Sequence, residues 1–185
     1  MLTEYVTLHL LNNIAVLSVS VRNGIVFVGQ TLPPYLVAAS MLLVFILRSE
    51  SAREKLVWMI EALGAAIIAR FGIAELIRLF YYRARPFEAH HEIMQLIVAR
   101  SGNGFPSGHM AFLFAFAVVM WHYHRRTGWC LIAAVALVGV SRIAAGVHYP
   151  SDIIGGVVVG MVVGYTMRRL TSKLTSGRFS GTLPQ

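Results

Sequence analysis

Three short blocks between residues 78 and 152 gather the residues of this chain best suited to chemistry. The first is Arg78, six residues, then Arg85-Pro86; the second is Pro106-Ser107-Gly108-His109; the third is Ser141-Arg142 with His148 and Asp152. A phosphate ester or anhydride resists attack because its oxygens are anionic. An enzyme must neutralise that charge, present a nucleophile in line and protonate the leaving group. The guanidinium forks of Arg78, Arg85 and Arg142 suit phosphate because each donates paired N–H groups. The Ser107-Gly108 turn adds a hydroxyl and backbone N–H donors where a helix begins. A neutral histidine can attack phosphorus, and a second can donate a proton near neutral pH. His148 and Asp152 are four residues apart, and Pro150 suits a helix that starts between them. The carboxylate then lies within about one turn of the imidazole. It can accept from one ring nitrogen and leave the other unprotonated, or act as a helix N-cap.

The elements that must hold these blocks are apolar. Of 185 residues, 57% are hydrophobic and 13% charged, against about 25% charged in an ordinary soluble domain. Uncharged or sparsely charged runs cover residues 31–47, 56–80, 108–123, 129–147 and 152–167, each near the length needed to cross hydrocarbon. The fold class expected is all-α: one polytopic membrane helix bundle of about five transmembrane helices. Residues 31–170 form its core, with Pro33 and Pro34 in the first turn of the first span. Residues 1–30, apolar but broken by Asn12, Asn13, Arg22, Asn23 and Gly24, are expected to form interfacial helices. Residues 171–185 form a polar tail. In the last span Gly156, Gly160 and Gly164 recur every fourth residue, a stripe for close helix packing.

The formal net charge of +8 is distributed by topology. Arg48, Arg53 and Lys55 share one loop, Arg125 and Arg126 another, and Arg168, Arg169, Lys173 and Arg178 the C-terminal end. Cationic loops mark the cytoplasmic side. With the C-terminus cytoplasmic, all three chemical blocks fall at the extracytoplasmic face, and no nucleic-acid partner is needed to explain the charge. The partners expected are the bilayer and a lipid carrying the phosphate. Cys130 is the single cysteine, so no disulfide can form within the chain.

The three blocks resemble the signature of the type 2 phosphatidic acid phosphatase superfamily: Lys-x6-Arg-Pro, Pro-Ser-Gly-His, then Ser-Arg-x5-His-x3-Asp. The second and third blocks match fully; the first departs where Arg78 replaces lysine. The resemblance implies that His148 is the nucleophile, forming a phosphohistidine, and that Asp152 orients it. It implies that His109 protonates the leaving group and then activates water. Arg78, Arg85, Ser107, Gly108 and Arg142 would hold the phosphate oxygens. No cofactor and no metal is implied, and the sequence offers neither a carboxylate cluster for magnesium nor paired cysteines for zinc. The run Arg85-Pro86-Phe87-Glu88-Ala89-His90 and the compact length resemble bacterial undecaprenyl-diphosphate phosphatases of the inner (plasma) membrane. Lipid A, phosphatidylglycerol phosphate and phosphatidic acid stand as alternative substrates.

Other polar residues have bland readings beside functional ones. Glu75 pairs locally with Arg78 at a three-residue spacing and can position it for phosphate. Glu88 and His90 suit either the surface or contact with a second phosphate. Glu61 and Arg70, inside a span, are expected to be structurally paired, with lining of a substrate channel as the alternative. From another class, the same arginines would serve a non-catalytic binder or transporter of anionic lipids. A vanadate haloperoxidase, which shares the phosphate-binding signature, is disfavoured by five apolar spans.

Overall fold

The computed structural model describes residues 2–47, 49, 51–99 and 101–179, and every regular element in that part is helical. In chain order these are α1 (Leu2–Val16), α2 (Val19–Val26), α3 (Leu32–Leu47), α4 (Ala52–Ile67), α5 (Glu75–Phe80), α6 (Pro86–Ala89), α7 (Gly108–Tyr123), α8 (Arg125–Ala144) and α9 (Pro150–Phe179). Two π turns, Phe27–Thr31 and Ile68–Ala74, join α2 to α3 and α4 to α5. Val19–Leu47 and Ala52–Phe80 are therefore single continuous helices of 29 residues. With Arg125–Ala144 and Pro150–Ser172 they are long and apolar enough to cross a membrane, and the shorter Gly108–Tyr123 is also apolar. Leu42, Phe45, Ile46, Leu79 and Phe80 project outward, exposed from the rest of the chain. An apolar exterior of this kind belongs against lipid tails rather than water. The bundle is that of a multi-pass membrane protein.

Helix α7 runs through the middle. Met110, Ala111, Leu113, Ala115, Phe116, Ala117, Val119 and Met120 are all buried, and none of its 16 residues is fully exposed. The tightest contact is with α9. A Cβ on Gly156 would stand 2.5 Å from the Ser107 carbonyl oxygen, on Gly160 2.7 Å from that of Ala111, and on Gly164 2.9 Å from that of Ala115. Each distance is too short for a carbon, so the glycine stripe brings the α9 backbone directly onto α7. Trp58, Ala62, Ala65, Ala66 and Ala69 of the α4 helix and its π turn close the other side of the core. Helix α4 starts at a capping box, in which Ser51 Oγ accepts from the Glu54 N–H at 3.3 Å and Glu54 accepts from the Ser51 N–H at 2.9 Å.

The N-terminal third differs from the expected division at residue 31. No helix begins there: the helix that starts at Val19 continues through Pro33 and Pro34, which lie in its interior. The reason is the π turn. In an α-helix the Gly29 carbonyl would accept from residue 33, and in a π turn from residue 34; both are proline and carry no N–H. The turn instead closes from the Leu32 N–H to the Phe27 carbonyl. The Gly29 oxygen is left for a partner elsewhere. Only α1 stands as a separate N-terminal helix, packed on α8 and α9 through Leu8. At the C-terminus α9 continues as helix to Phe179, and the remainder of the expected tail, 180–185, lies outside the described residues.

Candidate active site

The Phe80 end of α5, the start of α7, the end of α8 and the start of α9 meet at one end of the bundle. The loops between them form the site. Asn103 ties two of these loops together: its side-chain oxygen accepts from the Arg83 N–H at 3.1 Å and the Phe105 N–H at 3.2 Å. Its amide donates to the carbonyls of Arg78, at 3.1 Å, and Tyr81. The Gly104 N–H donates to the Arg83 carbonyl at 2.8 Å, and the Ser107 N–H donates to the Asp152 carbonyl at 3.0 Å. The three sequence blocks are thereby pinned to one another by backbone groups, before any ligand is considered.

They surround a cavity of about 600 Å³, lined by Arg78, Arg85, Gly108, His109, Arg142 and His148 together with Arg70, Glu75 and Asn103. His148 is 2% exposed and Asp152 fully buried. Nδ1 of His148 stands 3.5 Å from Asp152 Oδ2, which leaves Nε2 as the ring nitrogen available to the cavity. That separation exceeds a hydrogen bond, and both carboxylate oxygens are already engaged. Oδ2 accepts from the Tyr149 N–H at 2.9 Å, and Oδ1 accepts from Arg83 Nη1 at 2.9 Å. Asp152 is thus not the N-cap itself: as the third residue of α9 it accepts from the N–H of Tyr149 just ahead of the helix, and it faces the imidazole without a hydrogen bond to it. Burial, reinforced by the guanidinium groups of Arg142, Arg85 and Arg78, pushes the His148 imidazole well below its ordinary range. It stays neutral at physiological pH, the form in which it can attack.

Each arginine is fixed by a different device. Arg78 donates to Glu75 at 2.6 Å and to the Pro106 carbonyl at 2.8 Å, so it spans from its own helix to the Pro-Ser-Gly-His turn. Arg85 donates to the Val147 carbonyl at 3.1 Å, and burial, then the nearby Arg78 charge, lowers it from the usual guanidinium range. Arg142, only 4% exposed, donates to the orphaned Gly29 carbonyl at 3.0 Å. The Nε of each of these three arginines and the Ser107 hydroxyl are buried without a hydrogen-bond partner among the described residues. Such groups are costly unless something else satisfies them. Unpartnered donors gathered about one cavity, with a neutral histidine beside them, suit a phosphoryl group. Gly108 has its own reason: a Cβ there would run into the Arg70 guanidinium.

A profile of the PAP2 superfamily matches residues 55–176. The chain belongs to the PAP2 superfamily. Undecaprenyl-diphosphatase BcrC of Bacillus subtilis (strain 168) is 36% identical over 111 residues, covering 60% of this chain and 57% of the relative. A lipid A 1-phosphatase of Rhizobium etli is 31% identical over 121 residues, covering 61% of this chain and 50% of the relative. The chain thus spans little more than half the length of these curated relatives. The crystal structure of Aquifex aeolicus LpxE superposes with a TM-score of 0.69 at 23% identity, covering 88% of this chain and 92% of that one. That likeness shows the same helical fold.

Not every residue singled out from sequence reaches the cavity. Glu75 lines it, held by Arg78. Glu88 does not: its carboxylate accepts from the Arg85 N–H at 2.9 Å and the Gly102 N–H at 3.0 Å, bracing the Arg-Pro turn from outside. His90 is also elsewhere, tilted against Tyr5 at 4.9 Å between ring centres in a separate cavity with Glu4 and Arg83. Arg78, with both ends of its fork engaged, is anchored at the turn. The expected Glu61–Arg70 pairing is not formed. Glu61 accepts from the Tyr123 hydroxyl at 2.6 Å and lies 3.6 Å from Arg168 near the opposite end of the bundle, while Arg70 lines the site.

Three contributors escaped the sequence reading. Arg83 bridges Asp152 and Glu4, donating to Glu4 Oε2 at 3.0 Å, and Glu4 Oε1 accepts from the Ser151 N–H at 3.1 Å. Burial works against the Arg83 charge, but Asp152 and Glu4 outweigh it and raise its affinity for the proton. Arg70 and the Gly29 carbonyl are the other two. A spacing cue existed only for Arg83, two residues before Arg85.

Proposed function

We propose that this chain is an integral-membrane lipid phosphatase that converts undecaprenyl diphosphate to undecaprenyl phosphate. The observation that supports an amphiphilic substrate is the junction of two cavities. The arginine-lined cavity shares Arg70 and His109 with an apolar groove of about 480 Å³, formed by Pro33, Pro34, Val37, Met41, Phe112 and Leu113. A phosphorylated headgroup fits the first and its hydrocarbon chain the second, which is lined by residues of α3 and α7. The similarity to an undecaprenyl-diphosphatase favours the polyprenyl diphosphate.

The geometry supports the following chemistry. With the outer phosphoryl group held by Arg78, Arg85, Arg142 and the Ser107-Gly108 turn, Nε2 of His148 attacks phosphorus. The bond to the bridging oxygen breaks, and His109 supplies a proton to the departing undecaprenyl phosphate. His109 then takes a proton from water, which attacks the phosphohistidine and releases orthophosphate. Asp152 steadies the positive charge that the imidazole acquires. The basic residues Arg53, Lys55, Arg125, Arg126, Arg168 and Arg169 occupy the opposite end of the bundle. Their placement supports an extracytoplasmic site and a cytoplasmic C-terminus in a bacterial plasma membrane.

Phosphate release by detergent-purified protein with EDTA present tests the reading on undecaprenyl diphosphate, lipid A, phosphatidylglycerol phosphate and phosphatidic acid. Preference for undecaprenyl diphosphate, abolished in a folded His148→Ala variant, is expected. Preference for another lipid rejects the substrate and keeps the reaction. Wild-type turnover in folded His148→Ala rejects the nucleophile, and no release from any lipid favours a binder.

A further inference from the structure

We propose that Arg70 forms a second anion subsite beside the nucleophile, holding the inner phosphate of a lipid diphosphate while Arg78, Arg85 and Arg142 hold the outer one. As to the natural ligand, this rests on the functional reading above; the subsite itself is defined by geometry.

Arg70 sits on the π turn Ile68–Ala74 in the middle of a 29-residue apolar helix. An ionisable group there is expensive and is retained where it faces a cavity or a ligand. The other arginines around the site all hold protein acceptors: Arg78 a carboxylate and a carbonyl, Arg83 two carboxylates, Arg85 and Arg142 a carbonyl each. Among the described residues Arg70 makes none of these contacts. It lies over the Phe71 ring, 5.1 Å from its centre, and against the bare face of Gly108. Nη2 of Arg78 would stand 3.4 Å from the same missing Cβ, so two guanidinium groups converge on Gly108.

The charges around the cavity point the same way. Among the described residues, four arginines line it against one carboxylate, that of Glu75, a balance of three positive charges. A terminal phosphoryl group brings about two negative charges, and a diphosphate brings one more. The order of the groups also matches. In a lipid diphosphate the inner phosphate lies between the outer phosphate and the hydrocarbon chain. Arg70 occupies the corresponding place, lining both the arginine cavity and the apolar groove. Held there, it stabilises the charge that reaches the inner phosphate as the bridging P–O bond breaks, which a monophosphate on a carbon alcohol does not require in that position.

The test uses calorimetric titration of the detergent-purified full chain with methylenediphosphonate and with orthophosphate, so no turnover is needed. Arg70→Gln is expected to weaken methylenediphosphonate binding at least tenfold more than orthophosphate binding, and Arg70→Lys to recover part of the difference. In parallel, kcat/KM should fall at least tenfold more for farnesyl diphosphate than for farnesyl monophosphate. Equal losses for both anions, or no loss for either, overturn the subsite. Thermal melts of both variants verify folding; if Arg70→Gln does not fold, the same comparison on Arg70→Lys decides, since a lysine cannot reproduce the fork. Wild-type preference for a lipid other than undecaprenyl diphosphate would reject that substrate, while the ratio of anion affinities would still judge Arg70.

Discussion

Removing the Arg83 side chain tests whether Asp152, proposed above to steady the His148 imidazole, is held from behind. Asp152 is wholly buried, and Arg83 donates to its Oδ1 at 2.9 Å while its other branch reaches Glu4 at 3.0 Å. A charge-assisted hydrogen bond contributes about 1.5–3 kcal/mol. Because the Arg83 side chain is 22% exposed, water can replace part of the bond, and the Tyr149 N–H remains on Oδ2. A loss of about 2 kcal/mol is therefore reasonable for Arg83→Ala, well below the 3–5 kcal/mol for breaking a fully buried pair. If the whole loss appears in the barrier, kcat falls about 30-fold; any share appearing in folding lowers the melting temperature instead. Phosphate release at saturating farnesyl diphosphate and a thermal melt on the same preparation partition the two. Arg83→Lys should recover part of the loss, since one ammonium reaches Asp152 without bridging to Glu4. Glu4→Gln, which leaves the Asp152 contact in place, should stay within about threefold of wild type. An Arg83→Ala protein with kcat within twofold of wild type and an unchanged melting temperature would show that the network carries nothing.

Replacing Pro33 and Pro34 together by alanine restores two N–H donors that compete for the Gly29 carbonyl, so Arg142 loses its anchor. Activity is expected to fall about tenfold while thermal stability holds or rises, and phosphate-release kinetics beside a melt decide it. Gly160→Val places a side chain 2.7 Å from the Ala111 carbonyl and should destabilise the α7–α9 contact by about 1–3 kcal/mol, seen as a lower melting temperature in detergent. His148 is neutral and depressed in the folded state. Its contribution to stability is therefore present above its unfolded value of about 6.5 and is lost as pH falls below it. His148→Asn should accordingly show a smaller drop in melting temperature between pH 7.5 and pH 5 than wild type.

What could be read from sequence was local. His148 and Asp152 are four residues apart, Ser107 and Gly108 adjoin His109, and Gly156, Gly160 and Gly164 fall on one helical face; fixed spacing on one element translates directly into geometry. The parts that escaped are pairings over long separations. Arg83 meets Asp152 across 69 positions, Ser151 meets Glu4 across 147, and Arg142 meets Gly29 across 113. No periodicity encodes such contacts. The Gly29 acceptor is a backbone atom, invisible in side-chain patterns, and only the adjacent prolines hint that it is free. Arg70 and Glu61 share one apolar run, which by itself does not decide whether they meet. Nine residues of helix separate them by about 13 Å, enough for Arg70 to line the site cavity while Glu61 meets Tyr123 and Arg168.

The orphaned carbonyl at Gly29 bears on how this fold can be cut and recombined. Residues 55–176 carry every signature residue, yet the anchor of Arg142 lies at position 29 and the far end of the Arg83 bridge at position 4. A chimera built from those 122 residues and the leading helices of a relative would inherit the full set of reactive groups with two of their supports missing. The stretch that carries the signature and the stretch ahead of it are one inheritable unit, and a substitution in either half is conditional on what the other half presents.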